Sequence, residues 1–312
     1  MSEVLAPVFL LILTGFAIAR LRVLDELGVK ALSSLSFAVF LPALLFRAMA
    51  RTDFSSFPLI APLAYFAPGV AVFLASFAFL RRRNLPIRDA VILGLSGVFA
   101  NTVMVGIPLV KLAYGEQGLA VLLSVIALHA LVLMTLATAI IEAAERLIGG
   151  RRNAGWIKTL AEVARAAIAH PVILPIVAGI LFSLAGWTLP AVLDRTLALV
   201  GNAAPTLCLI LLGASLTRFE PHAQLTTALA MTLMKSLVHP AVIYIAGRWL
   251  FGLDALTLAV LTITASLPIG ANIYLLGRRY GTSLETISAG VTISTLASGI
   301  VVGPLLGWLP GR

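Results

Sequence analysis

Two short strings in this 312-residue chain place polar and helix-breaking residues inside otherwise apolar stretches. The first runs Ala100-Asn101-Thr102-Val103-Met104-Val105-Gly106-Ile107-Pro108, and the second Ser266-Leu267-Pro268-Ile269-Gly270-Ala271-Asn272. A proline has no amide to donate and clashes with the carbonyl four residues back. Pro108 is therefore expected to free the carbonyl of Met104, and Pro268 that of Thr264. Gly106 and Gly270 are expected to add backbone freedom beside each proline. The second half of a helix broken in this way presents free amides and partial positive charge, which favours a carboxylate or similar anion. Asn101 and Asn272 would donate side-chain amide hydrogen bonds to it. The chemistry expected is non-covalent recognition of an anion, with Asn101, Gly106, Pro108, Pro268, Gly270 and Asn272 as candidate binding residues. The alternative is a pair of packing kinks whose asparagines bond neighbouring helices.

Lys235 joins this set because it lies within an apolar stretch, where a charge costs several kcal/mol unless solvated or paired. Three roles are open to it: attracting the anion, taking the place of a coupling cation, or anchoring carbonyls freed at the broken helices. His129 and His239 are expected to pack or bond backbone. Glu285 is followed by Ser288, Thr292 and Thr295 at helical spacing, which reads as interhelical hydrogen bonding, with Ser294 and Thr295 a weaker candidate cation site. The single cysteine, Cys208, permits no intramolecular disulfide, and in apolar surroundings it is expected to be inert. No HExxH, GxSxG or GxxxxGK[ST] occurs, so neither an enzyme nor an ATP-driven pump is expected, and no cofactor or metal.

The elements that must position these residues follow from composition. Hydrophobic residues make up 60% of the chain and charged residues 11%, with mean hydropathy +1.06. Thirty-five charges cannot cover a soluble globule of 32.8 kDa, so an all-α polytopic membrane protein is expected. Taking about 20 residues per crossing, ten spans fall near 3–19, 29–49, 58–80, 88–114, 117–141, 169–186, 191–217, 226–250, 255–279 and 283–309. Of 22 basic residues, 15 lie in the odd-numbered loops, among them Arg81, Arg82, Arg83, Arg278 and Arg279. The positive-inside rule makes that face cytoplasmic and puts both termini outside, in the cell inner membrane. The net charge of +9 is thus accounted for by topology and calls for no nucleic acid.

The chain also matches itself. Pro7, Val8 and Gly15 correspond to Pro171, Val172 and Gly179 at an offset of 164, Pro42 to Pro205 at 163, and Tyr114-Gly115 to Tyr280-Gly281 at 166. This predicts two five-helix repeats, residues 1–141 and 169–312, joined by a cytoplasmic linker at 142–168. An odd number of spans per repeat inverts the second copy, and matched broken helices 4 and 9 then point to a central substrate site.

FLPALLF in the second span, NTVMVGIPLVKLAYG in the fourth, LLGASL in the seventh and SLPIGANIYLLGRRYG in the ninth resemble the auxin efflux carrier family, which includes malonate and malate permeases. The resemblance covers essentially the whole chain. It implies ten helices in two inverted repeats, with helices 4 and 9 crossing at their prolines and a shape related to bile-acid sodium symporters. It further implies a scaffold of helices 1, 2, 6 and 7 through which members dimerise, and elevator-type transport of organic anions by the rest. Asn101, Gly106 and Pro108 match the family's fourth-helix motif, and Pro268 and Asn272 the bacterial ninth-helix pattern. Some plant relatives carry an acidic residue in the third helix, whereas residues 58–80 here contain none.

The expected function is a secondary carrier of a small organic anion, such as malonate, malate or an auxin-like acid. Proton coupling, sodium coupling and uniport all remain open, and a homodimer is implied by the resemblance. The alternatives are an anion channel, which would need a continuous polar pore, and a sodium-coupled symporter.

Overall fold

Inside a bilayer the backbone has no water to bond, so an apolar chain of this kind satisfies its amides and carbonyls within helices. The computed structural model describes residues 2–54, 60–149, 161, 165, 171–218, 225–282 and 284–309. Its elements are helices: α1 (Ser2–Arg20), α2 (Glu26–Ala50), α3 (Ile60–Arg82), α4 (Ile87–Ser96), α5 (102–114), α6 (116–149), α7 (Ile173–Leu184), α8 (Ala191–Ser215), α9 (Leu225–Leu250), α10 (Ala255–Ser266), α11 (Asn272–Tyr280) and α12 (Leu284–Trp308). Among the described residues six stretches are long and apolar enough to cross a membrane: α2, α3, the α5–α6 stretch Thr102–Ala144, α8, α9 and α12. Shorter apolar helices accompany them at Ala6–Arg20, Ile173–Leu184 and Ala255–Ser266. The chain is a multi-pass, all-helical membrane protein.

Local chemistry sets the helix ends. Asp25 caps α2 by accepting from the amide of Gly28 at 2.7 Å, and Asp254 caps α10 by accepting from Thr257 at 3.0 Å. Gly115 separates α5 from α6 with φ +62° and ψ −155°, a conformation open essentially to glycine alone. Gly281 ends α11 in the left-handed region at φ +65°. These are the two glycines of the Tyr-Gly match, so both copies of that dipeptide turn the chain.

Prolines leave a second mark. Five-residue π segments at Ser36–Phe40, Thr102–Gly106 and Met234–Val238 each end two residues before a proline: Pro42, Pro108 and Pro240. The wider turn accommodates a ring that cannot donate and would crowd the carbonyl behind it.

Packing sorts the helices into two groups. In the first, α1 lies on α8, α7 on α2, and α2 on α8. Arg47 pins α2 to α8 through two bonds to the Asp194 carboxylate, Nε to Oδ1 at 2.8 Å and Nη2 to Oδ2 at 3.1 Å, and a third from Nε to the Asp194 carbonyl at 3.2 Å. A Cβ on Gly15 would overlap the carbonyl oxygen of Ile210, and one on Gly179 would stand 2.6 Å from that of Phe46. Residues 15 and 179 are 164 positions apart, and so are 46 and 210. In the second group α3 packs on α4 and α9, α9 on α10 and α12, and α11 on α4 and α12. The groups meet chiefly along the α5–α6 hairpin, where Lys111 Nζ donates to Asn202 Oδ1 of α8 at 3.1 Å.

The fifth predicted span ends at 141, but α6 continues to Gly149, so 142–149 of the predicted linker are helical. Positions 150–160, 162–164 and 166–170 of that linker lie outside the described residues.

Candidate functional site: the paired helix breaks

The chain leaves helix between α4 and α5 and again between α10 and α11, and the two breaks lie against each other. Asn101 N donates to Pro268 O at 2.8 Å, and Gly270 N donates to Phe99 O at 2.9 Å. Ala100 and Ile269 thereby form an antiparallel bridge. Each break supplies the partners the other lacks, which is how irregular backbone persists at membrane depth.

The local reasons differ from the sequence-based expectation in two respects. Leu267 is extended, at φ −58° and ψ 154°, as the residue before a proline prefers, so α10 stops before Pro268. The carbonyl of Thr264 is consequently not freed, since it accepts from Leu267 N at 3.4 Å. Neither Gly106 nor Gly270 adopts a positive φ, so neither uses the left-handed region that favours glycine. They provide space. A Cβ on Gly106 would sit 2.8 Å from Leu267 Cδ1, and one on Gly270 would sit 2.8 Å from Phe99 Cδ1 and 2.9 Å from Ala100 O. At Gly270 the close atom is a backbone oxygen, so only hydrogen in place of a side chain lets the two breaks touch there.

A cavity of about 210 Å³ opens on this junction, lined by Asn101, Gly270 and Asn272 together with Phe37 of α2, Ile126 and His129 of α6, and Ile173 of α7. It thus lies where the two helix groups face each other. Asn101 caps α5, its Oδ1 accepting from Met104 N at 3.2 Å, and among the described residues its Nδ2 makes no hydrogen bond. Asn272 opens α11, a helix with no side-chain cap. The cavity therefore gathers two side-chain amides and two helix N-termini, and among the described residues no charged side chain lines it. Such a site can hold an anion by amide donors and partial positive charge.

Pro108, Pro268 and Gly106 are buried and shape the junction without lining the cavity. Lys235 is fully buried, and its Nζ donates to the carbonyl of Ala265 in the last turn of α10. That turn has orphan carbonyls and the negative end of the helix dipole, so the lysine acts as a C-terminal cap from another helix. Of the three roles open to it, this is the geometry of anchoring, and its side chain does not reach the cavity wall.

Several neighbours complete the junction, and only Phe37, Ile126 and Ile173 among them were not singled out from the sequence. Ser294 Oγ accepts from Ile269 N at 3.0 Å and donates to Val291 O at 3.0 Å, so it holds the second break in place. Thr295 Oγ1 bonds Val291 O at 2.7 Å, so both hydroxyls of the candidate cation site are engaged within the protein. His129 stacks on Phe99 with centroids 4.4 Å apart, and its Nε2 stands 3.5 Å from Ala100 N. His239 packs edge-on against Tyr65 at 5.6 Å, and Cys208 is buried as expected. Phe37 carried a weak signal in its place five residues before Pro42; Ile126 and Ile173 carried none.

A wider cavity of about 700 Å³ lies at the other end of α2 and α6, lined by Arg47, Arg51, Glu116 and Asp254 among others. It shares no wall residue with the first. Along the helices, buried Leu41, Leu44 and Leu45 of α2 and Leu122, Leu123 and Val125 of α6 come between the two sets of lining residues.

A family model described as "Membrane transport protein" matches residues 1–304. A Rhizobium meliloti (strain 1021) protein named "Putative malonate transporter" is 28% identical over 96% of this chain and 93% of its own length. An "Uncharacterized transporter" of Methanothermobacter thermautotrophicus is 23% identical over 95% and 94%. The "Auxin efflux carrier component 8" of Arabidopsis thaliana is 24% identical over 66% and 67%.

Proposed function

The chain belongs to the membrane transport protein family that contains the auxin efflux carriers, and from that premise we propose that it is a secondary carrier of small organic acids. The observation that carries this reading is the cavity at the paired breaks, lined by both Asn101 and Asn272 and with no acidic side chain among its described lining residues. The names of the relatives in Rhizobium and Arabidopsis agree with a carboxylate substrate. At about 210 Å³ the cavity is smaller than the roughly 300–1,000 Å³ typical of drug-sized ligands. That favours an acid of a few carbons, of malonate or malate size, over an indole acid. Asn101 Nδ2 and the amides opening α11 hold the carboxylate, while Gly106, Gly270, Pro108 and Pro268 keep the breaks in contact.

Ten spans in two inverted repeats accommodate these helices when α4 with α5 and α10 with α11 each count as one crossing and Gly115 divides the fourth from the fifth. The Gly15–Ile210 and Gly179–Phe46 contacts, each shifted by 164 residues, support the repeat. Elevator-type alternating access is supported by the two helix groups and by the leucine-rich layer between the two cavities. In this reading the α1, α2, α7 and α8 group is the scaffold and the dimer surface. The protein resides in the inner membrane with the arginine-rich loops inside and both termini outside.

Uptake into proteoliposomes tests the proposal, with a panel of mono- and dicarboxylates under imposed pH and sodium gradients. Saturable uptake of a small dicarboxylate is expected, and dependence on one gradient names the coupling ion. Silence across the panel from folded protein, or unsaturable conductance, would overturn it.

A further inference from the structure

A second apolar feature lies away from the crossover, in a groove of about 480 Å³ between α3 and α9. Ala71, Ala75 and Phe79 form one wall at every fourth residue of α3, so the groove follows a single face of that helix. From position 71 to position 79 it runs about 12 Å at about 1.5 Å per residue. That approaches the half-thickness of a hydrocarbon core of about 30 Å. The two alanines leave the depth, and Met234 and Val238 of α9 provide the facing wall.

The groove ends at a cluster of charge. Arg81 and Arg82 close α3 and Arg83 follows, all three exposed. The Arg83 guanidinium lies over the Phe79 ring, 5.4 Å from its centroid, and Phe79 is itself part of the groove wall. Arg81 donates to the carbonyl of Leu85, which folds the connection back over the helix end. The one acidic residue of α4, Asp89, stands a turn before Leu93 of the groove and follows a fourth arginine, Arg88, so basic residues outnumber acidic ones at this end of the helix pair.

We propose that this groove binds an anionic phospholipid, with an acyl chain along Ala71, Ala75 and Phe79 and the phosphate headgroup against Arg82 and Arg83. A neutral lipid would fill the apolar part equally well, so the arginines make the selection. Each basic residue at a membrane surface strengthens anionic-lipid binding by about fivefold. The occupant also touches the crossover indirectly, because Met234 packs on Gly97, where a Cβ would lie 2.7 Å from its Cγ. Gly97 begins the break that leads to Asn101.

Native mass spectrometry and thermal melting of the full chain in detergent test this, titrating dioleoyl phosphatidylglycerol against dioleoyl phosphatidylcholine. Phosphatidylglycerol is expected to be retained as a discrete adduct and to raise Tm, and phosphatidylcholine to do neither. The double variant Arg82→Gln/Arg83→Gln, altered only on the surface, should bind phosphatidylglycerol about 25-fold more weakly. Ala75→Phe, which fills the groove, should weaken binding with the arginines intact; should it fail to fold, Ala71→Leu blocks the other end. Equal binding of the two lipids, or unchanged phosphatidylglycerol binding by the arginine variant, would overturn the headgroup assignment. Unchanged binding by the groove-filling variant would overturn the acyl-chain site.

Discussion

The amide of Asn101 donates to the carbonyl of Pro268 across 167 residues of chain, at 2.8 Å. With the return bond from Gly270 to Phe99 at 2.9 Å, it makes the two helix breaks one unit. Neither break could stand alone in a bilayer, because each would leave backbone groups without partners. The pairing also fixes Asn101 and Asn272 on the walls of one cavity.

Asn101 has two separable duties, and substitution can divide them. Asn101→Ser keeps an oxygen able to cap Met104 and withdraws the Nδ2 amide, so Tm should hold while uptake falls at least tenfold. The fall corresponds to a hydrogen bond to a charged group, about 1.5–3 kcal/mol. Asn101→Ala should lose the cap as well and cost about 0.5–2 kcal/mol of stability. Normal uptake by the serine variant, read in proteoliposomes, would remove the amide from the site.

Asn272 does not share that capping duty, since α11 starts without a side-chain cap. Asn272→Ala is accordingly expected to reduce uptake tenfold or more with little change in melting temperature. A large drop in Tm with substrate affinity retained would assign it to packing instead.

Ser294→Ala removes the acceptor of Ile269 N and leaves that buried amide without its partner, at a cost of about 1–3 kcal/mol. Melting should show the loss, and uptake should fall with it because the second break is no longer held. Unaltered stability would mean that another group takes over the amide.

Lys235→Met preserves most of the side-chain volume and strips the donor from Ala265 O. The expected result is a stability loss of about 1–3 kcal/mol, seen as a lower Tm, with substrate affinity within about twofold of the parent, because the lysine does not line the cavity. An unchanged Tm together with weakened binding at low ionic strength would restore the electrostatic role.

Gly15→Ala and Gly179→Ala each force a methyl group into a neighbouring backbone, at Ile210 and Phe46 respectively. Overpacking of this kind costs about 1–3 kcal/mol, and the two variants should lose stability by similar amounts. A loss in only one of them, measured by thermal melting, would break the correspondence between the α1–α8 and α7–α2 contacts.

Composition alone determined that this chain lives in lipid, because 35 charges among 312 residues cannot cover a soluble surface. The length of apolar stretches placed most of the helices, and Pro, Gly and Asn marked both breaks. These properties are local: a proline disrupts its own helix whatever stands beside it. Gly15 and Gly179, which match at an offset of 164 in the sequence, both stand where backbones approach closely. Which groups the breaks would bond was decided only by tertiary structure. Thr264 O finds a partner in Leu267 N, the glycine at 270 supplies room beside Ala100 O, and Lys235 caps a helix 30 residues away. Ser294 reaches Ile269 from 25 residues further along, and Phe37, Ile126 and Ile173 meet at one cavity from three different helices. Such partners depend on how helices pack side by side, and spacing along a single strand of sequence carries no record of it.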